Sequence, residues 1–119
     1  MIQAPKAAGK AKAPARSAKN PIPRAEQELQ TEAAIGTRLL ETRRALSLSQ
    51  KDMCGPAGIA ANTYNQYERG VARPSLDNAL RLCYAHRLSL DWIYRGDPAS
   101  LRVQLLDAII ALRESKSGN

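Results

Sequence analysis

The chain has 119 residues, 44% hydrophobic and 24% charged, which fits one small domain and leaves too little sequence for two separate cores. Its 18 Lys and Arg against 11 Asp and Glu give a net charge of +7 and a pI near 9.9, the balance of a protein with a polyanionic partner. The richest apolar run, Ala108 to Leu112, is far short of the roughly 20 residues that span a bilayer, so a soluble protein without a membrane partner is expected.

The charge is unevenly placed. Lys6, Lys10, Lys12, Arg16, Lys19 and Arg24 stand in a stretch without acids, whereas residues 25–119 carry 12 basic against 11 acidic side chains. Residues 1–33 are mostly Ala, Lys, Pro, Gln and Glu with few large apolar side chains, so they read as a disordered basic tail. Such a tail serves either as a solvated linker or as an arm with non-specific attraction for nucleic acid. It lacks the apolar core of a secretory signal, and Pro5, Pro14, Pro21 and Pro23 would interrupt a transit helix. Cys54 and Cys83 form no CxxC pair and read as small buried thiols of a reducing compartment rather than as a disulfide or metal site.

From Ile35 onward the pattern is one of short helices and loop signals, with no convincing alternating strand, so the fold class is all-α. Ile35, Leu39 and Leu46 fall near one face of a helix that closes around Ala45. Ser49 caps a helix over Gln50 to Cys54, which Gly55-Pro56 stops. Gly58-Ile59 turns into a helix over Ala61 to Glu68, and Arg69-Gly70 ends it. Ser75 caps Leu76 to His86, Ser89 begins a short helix through Ile93, and Gly96-Asp97-Pro98 closes the block. A last helix is expected over Ala99 to Arg113. The organisation expected is a tail over 1–33, a helical domain over 34–97, a C-terminal helix over 98–114 and a disordered end over 115–119.

Two short helices joined by a Gly-containing turn inside a small bundle have the pattern of a helix-turn-helix. Ile35-Gly36, Arg38-Leu39, Arg43, Leu48-Ser49-Gln50, Gly58-Ile59, Thr63, Tyr67-Glu68-Arg69-Gly70, Arg73-Pro74-Ser75 and Leu90-Asp91-Trp92-Ile93 follow in one order and spacing. Over residues 35–96 the chain resembles the lambda-repressor-like, Cro/XRE-type helix-turn-helix regulators. The resemblance implies a five-helix bundle, to which the C-terminal helix and the tail are additions.

At 100° per residue, Ala61, Asn62, Asn65, Gln66 and Arg69 share a face about 140° wide, while Thr63, Tyr64 and Tyr67 lie opposite. Asn and Gln amides can pair bidentately with adenine, and Ala can touch a thymine methyl, so an uncharged amide face suits base reading. An ordinary solvated face would more often carry Lys and Glu pairs. By resemblance, base contacts fall on Ala61, Asn62 and Gln66, with Asn65 a neighbour. Phosphate contacts fall on Ser49, Gln50, Arg69 and Arg73, where helix N–H groups and Arg forks suit phosphate oxygens. Arg43 and Glu68 hold the positions of a structural ion pair that orients the reading helix.

The sequence departs from the family pattern at several places: Thr42 where an apolar residue is usual, Ser47 and Arg87 where Gly is usual, and Ala60 where Ser often caps. Pro56 and His86 are further departures. His86, the one histidine, has no ligand cluster beside it and reads as a helix-end residue favoured by the dipole; no metal or cofactor is expected.

The last helix carries two apolar stripes. Leu101, Leu105, Ala108, Ile109 and Leu112 form one; Val103, Leu106 and Ile110 form the other. Two stripes suit a helix that packs on its own domain with one face and on a second copy with the other, so Val103, Leu106 and Ile110 are the dimerisation candidates. Burial of both faces within one chain is the alternative.

The function expected is a cytoplasmic, nucleoid-associated regulator of transcription, a repressor that binds a palindromic operator in double-stranded DNA as a homodimer. A coactivator-like bridging factor working through protein contacts is the second reading, and the amide face favours the first. No nucleophile with base and orienting partner, metal cluster or Gly-rich phosphate loop points to an enzyme. No small-molecule effector is expected, because the stretch after Gly96 is too short for a ligand domain.

Overall fold

The computed structural model describes residues 19–117, and every regular element among them is helical. In chain order these are α1 (Arg24–Leu29), α2 (Glu32–Ala45), α3 (Gln50–Cys54), α4 (Ala61–Glu68), α5 (Leu76–His86), a π-helical turn (Asp91–Arg95) and α6 (Val103–Ser117). Local chemistry sets most starts. The hydroxyls of Thr31, Ser49 and Ser75 accept from the backbone N–H groups of Ala34, Asp52 and Asn78 at 3.0–3.1 Å, satisfying donors that the helix leaves free. α4 begins after Ala60, which offers no side-chain cap.

The main core joins Ile35 and Leu39 of α2 to Met53, Cys54, Ile59, Tyr64, Tyr67, Leu82 and Ile93. α2 and α4 cross closely at Gly36: a Cβ there would stand 2.5 Å from Tyr67 O and 2.9 Å from Glu68 O. A second, smaller core seats Leu101, Leu105 and Ile109 against Trp92, which docks α6 on the bundle.

Trp92 also explains Thr42 at a position where an apolar residue is usual. Its indole N–H donates to Thr42 Oγ1 at 2.9 Å, and the hydroxyl donates in turn to Arg38 O at 2.7 Å, so both buried polar groups are satisfied. Arg38 is itself buried, and its guanidinium is held by main-chain carbonyls. Its Nε donates to Trp92 O, and its Nη2 donates to Ile93 O and Leu29 O, all at 2.7–2.9 Å. Burial, followed by the nearby charge of Arg113, lowers the Arg38 pKa. The guanidinium groups of Arg38 and Arg113 both lie 5.9 Å from the centre of the Trp92 ring, and Arg113 forks onto Glu41 at 2.7–3.2 Å.

Three boundaries differ from the sequence reading. Residues 24–33, expected within the tail, form α1 and the start of α2. α1 buries no residue, so no apolar period announced it; it is held at its C-terminal end, where Leu29 O accepts from Arg38 and Gln30 O from Arg73 at 2.6 Å. Glu26 pairs with Arg95 at 3.6 Å. The last helix starts at Val103, not Ala99, because Asp97 Oδ1 caps Ala99 N and Leu101 N bonds Pro98 O in a turn. It continues to Ser117, through residues expected to be a disordered end, since Glu114 and Lys116 favour helix and no Gly or Pro intervenes. The expected tail residues Lys6, Lys10, Lys12 and Arg16 lie outside the described residues.

Ser47 and Arg87 have φ of 60° and 58°, the left-handed region that accounts for the usual glycine at both positions. Ser47→Gly is expected to raise stability by about 1 kcal/mol, read as a higher urea midpoint at unchanged slope. Gly36→Ala is expected to lower stability by about 1–3 kcal/mol or more, because only backbone atoms face the added methyl and the helices must separate.

Candidate nucleic-acid interface

The α4 face is arranged by what lies beneath it. Tyr64 and Tyr67 point into the core, their rings edge to face at 6.3 Å, and Tyr67 accepts from Asn78 Nδ2 at 2.8 Å. That fixes the rotation of α4 about its axis. Ala61, Asn62, Gln66 and Arg69 are consequently exposed along one side, with Asn65 half-buried between them and α3.

Arg43 of α2 reaches Glu68 with two N–H groups, Nε to Oε2 at 2.7 Å and Nη2 to Oε1 at 3.0 Å. Its Nη1 donates to Leu48 O in the α2–α3 turn. Gln50, the first residue of α3, donates Nε2 to Glu68 Oε1 at 2.9 Å and to Asn65 Oδ1 at 3.1 Å. One carboxylate thus ties α2, the turn, α3 and α4 together. Its side chain is only 5% exposed. Burial by itself would raise the Glu68 pKa, but the hydrogen bonds from Arg43 and Gln50 outweigh it and hold the carboxyl below its ordinary range. The same contact raises the Arg43 pKa. The buried Tyr64 hydroxyl lies beside Glu68 without a hydrogen bond of standard geometry; burial first, then the hydrogen-bonding interaction with Glu68, pushes its pKa far up.

The sequence-derived site residues fall at five places. Ala61, Asn62, Gln66 and Arg69 are exposed together on α4. Gln50 donates to both Asn65 and Glu68, so it links the start of α3 to the α4 face. Ser49 is exposed as the α3 cap. Arg73 lies apart from α4: its Nη2 donates to Gln30 O at 2.6 Å, and it faces Glu32 at 3.5 Å. Val103 and Ile110 of α6 are 67% and 42% exposed with Leu106 half-buried beside them, while Leu101, Leu105 and Ile109 face the core.

Reasoning from sequence missed Arg38, whose partners are main-chain carbonyls carrying no residue signature. It also placed His86 only as a helix-end residue. Its Nε2–H donates to Met53 O at 2.7 Å and pins the end of α5 to α3. Among the described residues no cluster of three or more His, Cys, Asp or Glu stands ready for a metal ion, and no helix is long and apolar enough to cross a membrane.

A capped short helix, a tight turn through Gly58, and a second helix with its polar side outward make the α3–α4 pair a helix-turn-helix. Residues 39–93 match the family model described as helix-turn-helix. A curated relative, the cryptic phage CTXphi transcriptional repressor RstR of Vibrio cholerae serotype O1, is 32% identical over 57 residues, covering 48% of this chain and 51% of the relative. The chain spans about half the length of that relative. No solved structure matches the chain. Residues 39–93 are a helix-turn-helix domain of the lambda-repressor-like, Cro/XRE type.

Because its folded pKa is depressed, Glu68 contributes stability that is present above the unfolded carboxylate pKa of about 4.3 and is lost as pH falls through the lower folded value. Glu68→Gln is expected to cost about 2 kcal/mol at pH 7, with the gap to the parent closing in acid. Urea titrations of both proteins between pH 7 and 3 measure that difference; a constant gap would assign the loss to packing.

Proposed function

We propose that the chain is a transcriptional regulator that reads double-stranded DNA through the major groove with α4, acting as a repressor in the cytoplasm at the nucleoid. The observation that carries this reading is the exposed, uncharged amide face of Ala61, Asn62 and Gln66 on the second helix of a helix-turn-helix. Such amides discriminate base edges, where lysines would see only backbone. Asn65 Oδ1 is taken by Gln50, which leaves its Nδ2 donor for the groove. Ser49 and Gln50 at the start of α3, with Arg69 and Arg73 beyond α4, fit the phosphate contacts. Arg73 then exchanges Gln30 O for a phosphate oxygen. The printed name of the V. cholerae relative, a transcriptional repressor, supports the same direction of regulation.

Selection of sites from a random duplex pool tests the reading. A palindromic motif is expected, and Asn62→Ala and Gln66→Ala should each weaken binding to it by about 1–3 kcal/mol while leaving non-specific duplex binding nearly unchanged. No enrichment would favour the second reading, a bridging factor. The exposed apolar stripe of Leu76, Leu80 and Tyr84 on α5 is the surface that such a factor would use.

The palindrome follows from a two-fold dimer through α6. Its outer stripe of Val103, Leu106 and Ile110 lies opposite the face that packs on Trp92, as an isologous interface requires. The two α4 helices then enter successive major grooves about 34–36 Å apart, with half-sites roughly 10–10.5 bp apart or a multiple. The double variant Leu106→Glu, Ile110→Glu is expected to sediment as a folded monomer with much weaker operator affinity. A double variant that sediments as a dimer at micromolar concentration places the interface elsewhere.

A further inference from the structure

A pocket of about 180 Å³ opens between the α2–α3 turn, the end of α5 and the segment entering α6; Leu46, Leu48, Ala85, His86, Arg87 and Arg102 line it. No carboxylate lines it. Arg102 is half-buried there, its Nη2 donating to His86 O at 2.9 Å, while its buried Nε–H finds no acceptor among the described residues. Arg102 lines the pocket with a guanidinium that the protein pairs only in part, so the site favours an incoming oxygen. Arg87 caps α5 in the left-handed conformation, and its exposed guanidinium makes no hydrogen bond or ion pair among the described residues. The ring of His86 is already engaged with Met53 O. Two arginines without a counter-charge make the pocket electropositive, and Leu46, Leu48 and Ala85 give it an apolar wall.

We propose that this pocket binds a small organic carboxylate, its oxygens on Arg102 and Arg87 and its apolar body against Leu46, Leu48 and Ala85. Apolar walls with a few convergent polar groups are the usual composition of small-molecule sites, and this one is small enough to take only a fragment-sized anion. The apolar wall distinguishes a carboxylate with a hydrocarbon body from inorganic phosphate, which has none to place there. No separate ligand domain is required, because the site lies within the bundle. It touches the turn that leads into α3 and the residue that leads into α6, and it is separate from the exposed face of α4.

Titration of the ¹⁵N-labelled full chain with benzoate, inorganic phosphate and benzyl alcohol at constant ionic strength tests the site without DNA. Benzoate is expected to produce saturable shifts at the Arg102 Nε–H resonance and at the amides of Leu48 and Arg87, and benzyl alcohol none. Arg102→Gln and Arg87→Gln should each weaken benzoate binding about tenfold or more. Arg87 is exposed, so its variant keeps the test valid if Arg102→Gln fails to fold. Absence of saturation by benzoate, or equal affinity in parent and Arg87→Gln, would overturn the proposal. Tighter binding of phosphate than of benzoate would overturn the carboxylate assignment.

Discussion

A carboxylate that is almost wholly buried must be answered by donors held in place, and Glu68 draws its donors from two other helices. Arg43 approaches from α2 and Gln50 from α3, while Glu68 itself closes α4. Exposed ion pairs contribute little, but breaking a buried one on a single side leaves an uncompensated charge. The pair therefore acts mainly on geometry. It sets α3 and α4 at one mutual position on α2, with Gly36 allowing the backbones to meet. Gln50 carries the constraint outward to Asn65, so the polar face of α4 is oriented from below before anything meets it.

A second joint lies on the other side of α2. Arg38 binds the carbonyls of Trp92 and Ile93 in the π-helical turn and of Leu29 at the end of α1, which makes one buried cation the cap of two elements at once. Trp92, tied back to α2 by Thr42, passes the constraint on to α6 through the Arg113 guanidinium above its ring and the apolar contacts of Leu101, Leu105 and Ile109. The two joints sit one turn and a half apart on α2, at Arg38 and Arg43. The helix-turn-helix and the α6 surface are therefore fixed to a common element, α2.

Much of this was legible where the signal is local. Ser49 and Ser75 mark their helices by side-chain capping, and Gly58, Gly70 and Gly96 take the left-handed turns where the loops were expected. The periodicity of α4 separated Tyr64 and Tyr67 from Asn62 and Gln66, and the Arg43–Glu68 pair followed from the family resemblance. What escaped was non-local. α1 has no apolar face and rests on arginines 9 and 43 residues away, donating to carbonyls that any residue possesses. Thr42 departs from the family pattern because its hydroxyl bridges the Trp92 indole and Arg38 O, a contact that its place in the sequence does not signal. Ser47 and Arg87 kept the backbone conformation of the glycines they replace, and identity alone did not reveal it.

In the proposed function α4 is the element that meets base edges, held in position by Glu68. Side-chain amide resonances report on that contact directly. On titration with the selected duplex, the NH₂ groups of Asn62 and Gln66 should shift strongly and slow their exchange with water, while Asn78, hydrogen-bonded to Tyr67 inside the domain, stays unchanged. Shifts confined to α5 or α6, with the Asn62 and Gln66 amides unperturbed at saturation, would contradict it.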